Sequence, residues 1–201
     1  MPLAIFDLDH TLIGGDSDHL WGQYLCTLGA VDPEVFSREH DRYYADYLAG
    51  RLDIDAFLRF QLAPLARHPM ETLEQWRGRF LEERIRPILL PKADELIAEH
   101  RARGDHPLII TATNRFITEP IAGLLGIDDL IATEPEQVDG AFTGRVAGVP
   151  SFAEGKVQRL QAWLAEHAMD LAGSWFYSDS RNDLPLLERV DHPVAVDPDP
   201  A

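Results

Sequence analysis

The chain has 201 residues, 45% hydrophobic and 26% charged, enough to bury a core without disulfide staples. Asp and Glu number 34 against 18 Lys and Arg, and the formal charge of -16 argues against nucleic acid or an anionic membrane as partner. Cys26 is the only cysteine, which excludes an internal disulfide, and no apolar run approaches a membrane span. With no basic leader ahead of the first strand, the expectation is a cytoplasmic protein, with monomer and homodimer both open.

Residues 3 to 8, LAIFDL, read as a buried strand, and Asp7 and Asp9 close it on the same side, because strand side chains alternate. Two like charges there need a reason. From residue 14 to 90 no strand pattern is evident. Helices are expected near 17–29, 33–49, 53–66 and 70–85, with turns at Gly50 and the Asp32-Pro33 and His68-Pro69 pairs. This insert reads as a helical cap over the strand ends, so that 1–13 and 91–201 form one core and 14–90 a second unit. Trp21, Tyr24 and Leu28 sit at helical spacing and are assigned to core packing, and Cys26 reads as a buried, inert thiol. Gly14 and Gly15, within GGDS, suit a hinge.

Further strands are expected at 107–112 (PLIITA), 174–178 (SWFYS) and 193–196 (PVAV), separated by helical patterns, which gives an α/β parallel sheet. Residues 131 to 149 carry an Asp-Gly turn between short alternating runs and predict a β-hairpin at the edge of the core. The closing DPDPA, residues 197–201, is expected to fray.

Four sequence pieces fall at predicted strand ends or helix starts, where open α/β sheets place ligands. They are Asp7-Leu8-Asp9-His10-Thr11, Thr111-Ala112-Thr113-Asn114, Lys156, and Ser178-Asp179-Ser180-Arg181-Asn182-Asp183. Each has an ordinary reading by itself: Asp179 and Asp183 as helix N-terminal carboxylates, Thr111 as a strand-end hydroxyl. Together they converge Asp7, Asp9, Asp179 and Asp183. Two carboxylates ~5 Å apart at an effective dielectric of ~20 repel by about 3 kcal/mol, so the cluster calls for a cation. An oxygen-only donor set favours Mg²⁺ where a phosphate supplies further ligands. A carboxylate nucleophile ringed by positive charge and hydroxyls suits phosphoryl transfer, and an aspartate two residues on can serve as general acid and base. The spacing of Asp7 and Asp9 then has a chemical reason.

DLDHT, TATN, Lys156 and SDSRND, in this order along the whole chain, resemble the four motifs of the haloacid dehalogenase (HAD) superfamily of phosphohydrolases. The insert after the first motif resembles the cap of its phosphoserine phosphatase-like branch. The resemblance implies a Rossmann-like core with a parallel sheet and an inserted all-helical cap of C1 type. It implies Asp7 as nucleophile, Asp9 as general acid and base, and Thr111 and Lys156 as phosphate holders, with Thr11 supporting the first loop. It further implies that Asp7, the Asp9 carbonyl and Asp179 ligate Mg²⁺, with Asp183 orienting that shell and Asn182 near the phosphate. Lys92, the only other lysine, follows Pro91 at a helix start and reads as a surface residue. His10 reads as shaping the first loop.

Specificity belongs to the insert. In phosphoserine phosphatases an acidic residue after the first motif pairs with the substrate amine, which corresponds here to Asp16, with Asp18 beside it. Those enzymes also hold the substrate carboxylate with a cap arginine. Here Gln61 stands in that register, with Arg59 two residues away, and a neutral amide forfeits a charge-assisted contact of roughly 1.5 to 3 kcal/mol. An amine without a carboxylate fits better, and histidinol phosphate satisfies this within the branch, flanked by Trp21, Tyr43, Tyr44 or Phe57. Phosphoserine is the alternative substrate. A catalytically inactive binding module is the alternative of another class, and the presence of both Asp7 and Asp9 speaks against it.

Overall fold

Every residue of β1 (Leu3–Phe6) is buried, the condition of a strand covered on both faces, and the computed structural model places it at the centre of a parallel sheet. The structure describes residues 1–197, so the last four residues of the DPDPA tail lie outside the described residues. The sheet has five strands in the order β3-β2-β1-β6-β7, comprising β1, β2 (His106–Asn114), β3 (Asp129–Thr133), β6 (Trp175–Ser178) and β7 (His192–Ala195), all paired in parallel.

Alternation along the strands divides the apolar residues between two faces. Ala4, Phe6 and Ile109 pack with Ile97 of α5 (Pro91–Arg103) and with Ile117 and Ile121 of α6 (Arg115–Leu124). Leu3, Ile5, Leu108 and Ile110 pack with Val157 and Leu160 of α7 (Glu154–His167) and Leu186 of α8 (Leu184–Leu187). Pro91 opens α5 where no amide partner is needed, and Gly104, at φ 84°, closes it.

Residues 14–90 contain no strand. They form α1 (Ser17–Thr27), α2 (Pro33–Leu48), α3 (Ile54–Leu62) and α4 (Met70–Phe80), followed by a wide helical turn over Leu81–Ile85. Asp16, Asp32 and Asp53 each accept backbone amides at a helix N-terminus, which is why the polar residues before the apolar runs marked these starts. Trp21, Tyr24, Leu62, Leu73 and Phe80 join the same apolar cluster as Phe6, so the insert and the sheet share one continuous core.

Three readings are corrected. Leu28 is exposed, because α1 ends at Thr27 and Leu28 is its cap. Cys26 is only half-buried, although burial pushes its thiol pKa up and keeps it protonated. Residues 131–133 belong to β3 rather than to the hairpin, which is β4 (Pro135–Val138) and β5 (Ala141–Val146) around Asp139-Gly140. Asp139 and Gly140 have φ of 51° and 79°, the tight turn that reverses a two-stranded ribbon. The hairpin leans on the insert, with Gly144 against Leu62, Ala63 and Ala66.

Lys156 depends on a close backbone approach. A Cβ on Gly155 would run into the carbonyl oxygen of Pro150, and Ala153, two residues earlier, already holds φ 47°. Gly155→Ala is therefore expected to destabilise by about 2 to 3 kcal/mol in urea titration. Gly78→Ala, at an open position inside α4, should stabilise by roughly 0.5 to 1 kcal/mol.

Candidate active site

β1 stops at Phe6, two residues short of the expected strand end, so strand alternation is not what brings Asp7 and Asp9 together. The chain coils instead. The Leu8 carbonyl accepts the amides of Thr11, Leu12 and Ile13, and His10 takes φ 55° with its amide on the Gly15 carbonyl. The Asp7 amide donates to the Tyr177 carbonyl of β6 at 2.9 Å, which fixes the nucleophile candidate to the sheet. His10 is exposed and shapes this loop.

Lys156, 3% exposed, donates to Asp7 Oδ1 and to Asp183 Oδ2, each at 2.7 Å. Asp183 Oδ2 also accepts the Ser178 hydroxyl at 2.7 Å. Burial pulls the Lys156 pKa down, but the Asp183 and Asp7 carboxylates outweigh it and hold the ammonium charged. Burial, with Asp183 and Asp9 nearby, raises the Asp7 pKa in spite of Lys156. Asp9 accepts the Ser17 amide at 2.7 Å on one oxygen and the Thr113 hydroxyl at 2.9 Å on the other. Its pKa is pushed to about 6, chiefly by burial and then by Asp16.

These groups line one cleft of about 580 Å³. Asp7, Asp9, Thr111, Lys156, Asp179, Asn182 and Asp183 line it, and so do Asp16 and Asp18. Thr111 is buried and accepts the Thr113 amide. Burial raises the pKa of Asp179, which lies 3.5 Å from the Thr11 hydroxyl. Asp16 caps α1 through the His19 amide at 2.9 Å. Asp18 accepts the Gln61 amide at 2.5 Å, and burial, with Asp16 and Asp9 nearby, pushes its pKa to about 8.

Several expectations change. Gln61 is buried behind Asp18 and does not line the cleft, so it acts on a ligand only through Asp18. Trp21 is in the core, edge-on to Phe80, and cannot flank a substrate. Tyr43, Tyr44 and Phe57 do line the cleft, although one face of Tyr43 is covered by Arg42. Arg59 is exposed, and no arginine is among the described residues lining the cleft. Lys92 is exposed as expected.

Asp7, Asp9, Asp179 and Asp183 all line this cleft. Among the described residues no three acidic, histidine or cysteine side chains stand close enough to hold a metal by themselves, and Lys156 lies between Asp7 and Asp183. The donor chemistry still fits Mg²⁺, which takes one or two carboxylates and completes its shell with carbonyl, water and phosphate oxygens. Carboxylates outnumber the one buried ammonium, and burial above all raises the pKa of Asp7 and Asp179.

His40, Tyr47, Thr113 and Ser180 also line the cleft and were missed. Two signals were available: Thr113 shares a strand face with Thr111, and His40, Tyr43, Tyr44 and Tyr47 follow helical spacing along α2. His40 lies against His19, with ring centroids 3.8 Å apart.

Comparison with known proteins gives the family and the fold. A protein from Bordetella pertussis Tohama I, of unknown function, superposes with a TM-score of 0.92 at 45% identity, covering 99% of this chain and 91% of that one. A phosphoserine phosphatase solved as a phospho-aspartyl intermediate analogue shares the fold, with a TM-score of 0.71 at 21% identity over 96% of this chain and 85% of that one. The histidinol-phosphatase of Neisseria meningitidis serogroup C is 49% identical over 98% of this chain and 90% of its own length. The family model for haloacid dehalogenase-like hydrolases matches residues 4–188, and the chain belongs to that family.

Proposed function

We propose that this hydrolase is an Mg²⁺-dependent phosphomonoesterase that converts histidinol phosphate to histidinol and phosphate through an aspartyl-phosphate on Asp7. The observation that carries the reading is one cleft that joins a lysine-held aspartate to further acidic and aromatic side chains, with no arginine among the described residues lining it. The 49% identity to a histidinol-phosphatase over nearly the whole chain supports the substrate. Residues 14–90 serve as the cap.

Asp7, the Asp9 carbonyl and Asp179 would hold Mg²⁺, which supplies positive charge against the phosphoryl oxygens. Lys156 orients the Asp7 carboxylate through Oδ1 and, with Thr111, faces the phosphoryl group. Asp7 attacks phosphorus while the ester P–O bond breaks, and the departing oxygen takes a proton from Asp9. Asp9 is set for this by the Ser17 amide and the Thr113 hydroxyl, and its raised pKa keeps a share of it protonated near neutral pH. Water then loses a proton to Asp9, attacks phosphorus and frees Asp7. Asp18, oriented by Gln61, meets the substrate ammonium.

Phosphate release from a panel containing histidinol phosphate, phosphoserine and phenyl phosphate tests the reading. Histidinol phosphate should lead in kcat/KM, EDTA should abolish release and Mg²⁺ restore it. A preference for phosphoserine would refute the substrate, and release indifferent to EDTA would refute the metal.

Asp9→Asn should lower kcat by about 10²- to 10⁴-fold for histidinol phosphate. The formation of aspartyl-phosphate from p-nitrophenyl phosphate should suffer far less, since its leaving group needs no proton. Rapid-quench measurement of that step with both substrates decides this.

Asp18 is held neutral below about pH 8, and an ammonium favours its ionised form, so binding expels a proton below that pH. Relative to phenyl phosphate, KM for histidinol phosphate should fall between pH 6 and 8, and Asp18→Asn should flatten that slope and raise KM more than it lowers kcat. Parallel pH profiles in wild type and variant would remove Asp18 from amine recognition.

A further inference from the structure

We propose that Tyr47 is a positioning residue: its hydroxyl, bonded to Ser180, latches α2 over the cleft and ties closure of the insert to the alignment of Asp7. This rests on reading the cleft as a phosphoester site.

Tyr47 lies in the last turn of α2, and its hydroxyl meets Ser180 Oγ at 2.7 Å across 133 residues of sequence. Tyr43, on the same helix, bonds the Ala56 carbonyl within the insert, whereas Tyr47 crosses to the loop after β6. Ser180 stands between Asp179 and Asn182, and its Oγ also accepts the Asn182 amide at 3.2 Å. From there the hydrogen bonds continue inward. The Ser180 amide donates to Ser178 Oγ at 3.1 Å, Ser178 Oγ donates to Asp183 Oδ2 at 2.7 Å, and Lys156 joins that same oxygen to Asp7 Oδ1 at 2.7 Å each. An unbroken chain thus runs from a helix of the insert to the nucleophile.

A phenylalanine would keep the packing of this ring against Tyr44, whose ring lies parallel at 6.5 Å, so the hydroxyl serves Ser180, and beside it the Asn182 side chain that Ser180 itself holds, rather than packing. Ser180 is the link that senses it. When α2 lifts away, Ser180 Oγ loses a partner while its amide still holds Ser178, so the loop carrying Asp179 and Asp183 loses its outer restraint. Losing one such hydrogen bond shifts an open–closed equilibrium by about five- to tenfold, and the apparent affinity falls with the closed fraction.

The experiment is a double-mutant cycle on the full chain with Tyr47→Phe and Ser180→Ala. It is read by KM and kcat for histidinol phosphate and by amide hydrogen exchange in the Mg²⁺-free protein. Tyr47→Phe should raise KM about five- to tenfold with a smaller change in kcat. It should speed exchange in α2 by a similar factor, leave β1 and β2 at wild-type rates, and add nothing to the loss already caused by Ser180→Ala. Ser180→Thr, which keeps the hydroxyl, should restore wild-type exchange in α2. If KM or α2 exchange stays within twofold of wild type, or the two substitutions act additively, the latch is overturned. If the wild-type protein releases phosphate from no ester, the reading of the cleft fails instead, and α2 exchange still decides whether Tyr47 holds the helix down.

Discussion

The buried ammonium of Lys156 between Asp7 and Asp183 is the constraint on which the rest of the site depends. Asp7 could not stay charged in its near-dry position without a partner, and removing one member of such a buried group typically costs about 3 to 5 kcal/mol. Lys156 is delivered there by the first turn of α7. That turn is brought close to Pro150 by Gly155, which has no Cβ, and is preceded by the left-handed Ala153. Asp7 comes from the coil that follows β1 and Asp183 from the segment after β6, so three separate segments meet at one nitrogen. A chain that places all three correctly has already built most of a phosphoryl-transfer site.

The charge balance then explains why the site needs more than Lys156. One ammonium faces Asp7 and Asp183 directly, with Asp9 and Asp179 lining the same cleft, and burial raises the pKa of Asp7, Asp9 and Asp179. In the proposed reaction a divalent cation and a proton on Asp9 would relieve this in complementary ways: the first would favour attack on an anionic phosphoryl group, and the second would protonate the leaving oxygen. Stability and chemistry therefore draw on the same imbalance.

In the proposed substrate reading the same physics would act in selection. Burial holds Asp18 neutral in the free protein, and an arriving ammonium would favour its charged form. Its orientation by Gln61 gives the neutral amide a purpose in the place where a carboxylate-binding arginine is missing. The aromatic side of α2 supplies a flat apolar boundary, and His40 and Tyr44 belong to a run of stacked rings along that helix.

Much of this was legible in the sequence, because strand ends and helix starts are local events. Apolar runs closed by aspartates gave β1 and β6, helical patterns between polar turns gave the helices of the insert, and the order of the motifs assigned Asp7, Asp9, Thr111, Lys156, Asp179 and Asp183 to one place. The apolar pattern of residues 131–133 could not distinguish an edge strand of the parallel sheet from the start of a hairpin, since both are short and alternate. Leu28 and Cys26 were misjudged because burial at a helix end depends on where the neighbouring helix lies. Gln61 does not line the cleft, and Trp21 keeps its core-packing place without flanking a substrate, because helical periodicity tells which residues share a face but not which face looks into a cleft. The residues themselves determined the chemistry, since carboxylates, lysine and hydroxyls at strand ends admit few reactions. Only the tertiary structure decided that Lys156 separates Asp7 from Asp183, that Gln61 serves Asp18, and that Tyr47 reaches Ser180, because each contact joins segments 27 to 149 residues apart whose meeting no local propensity encodes.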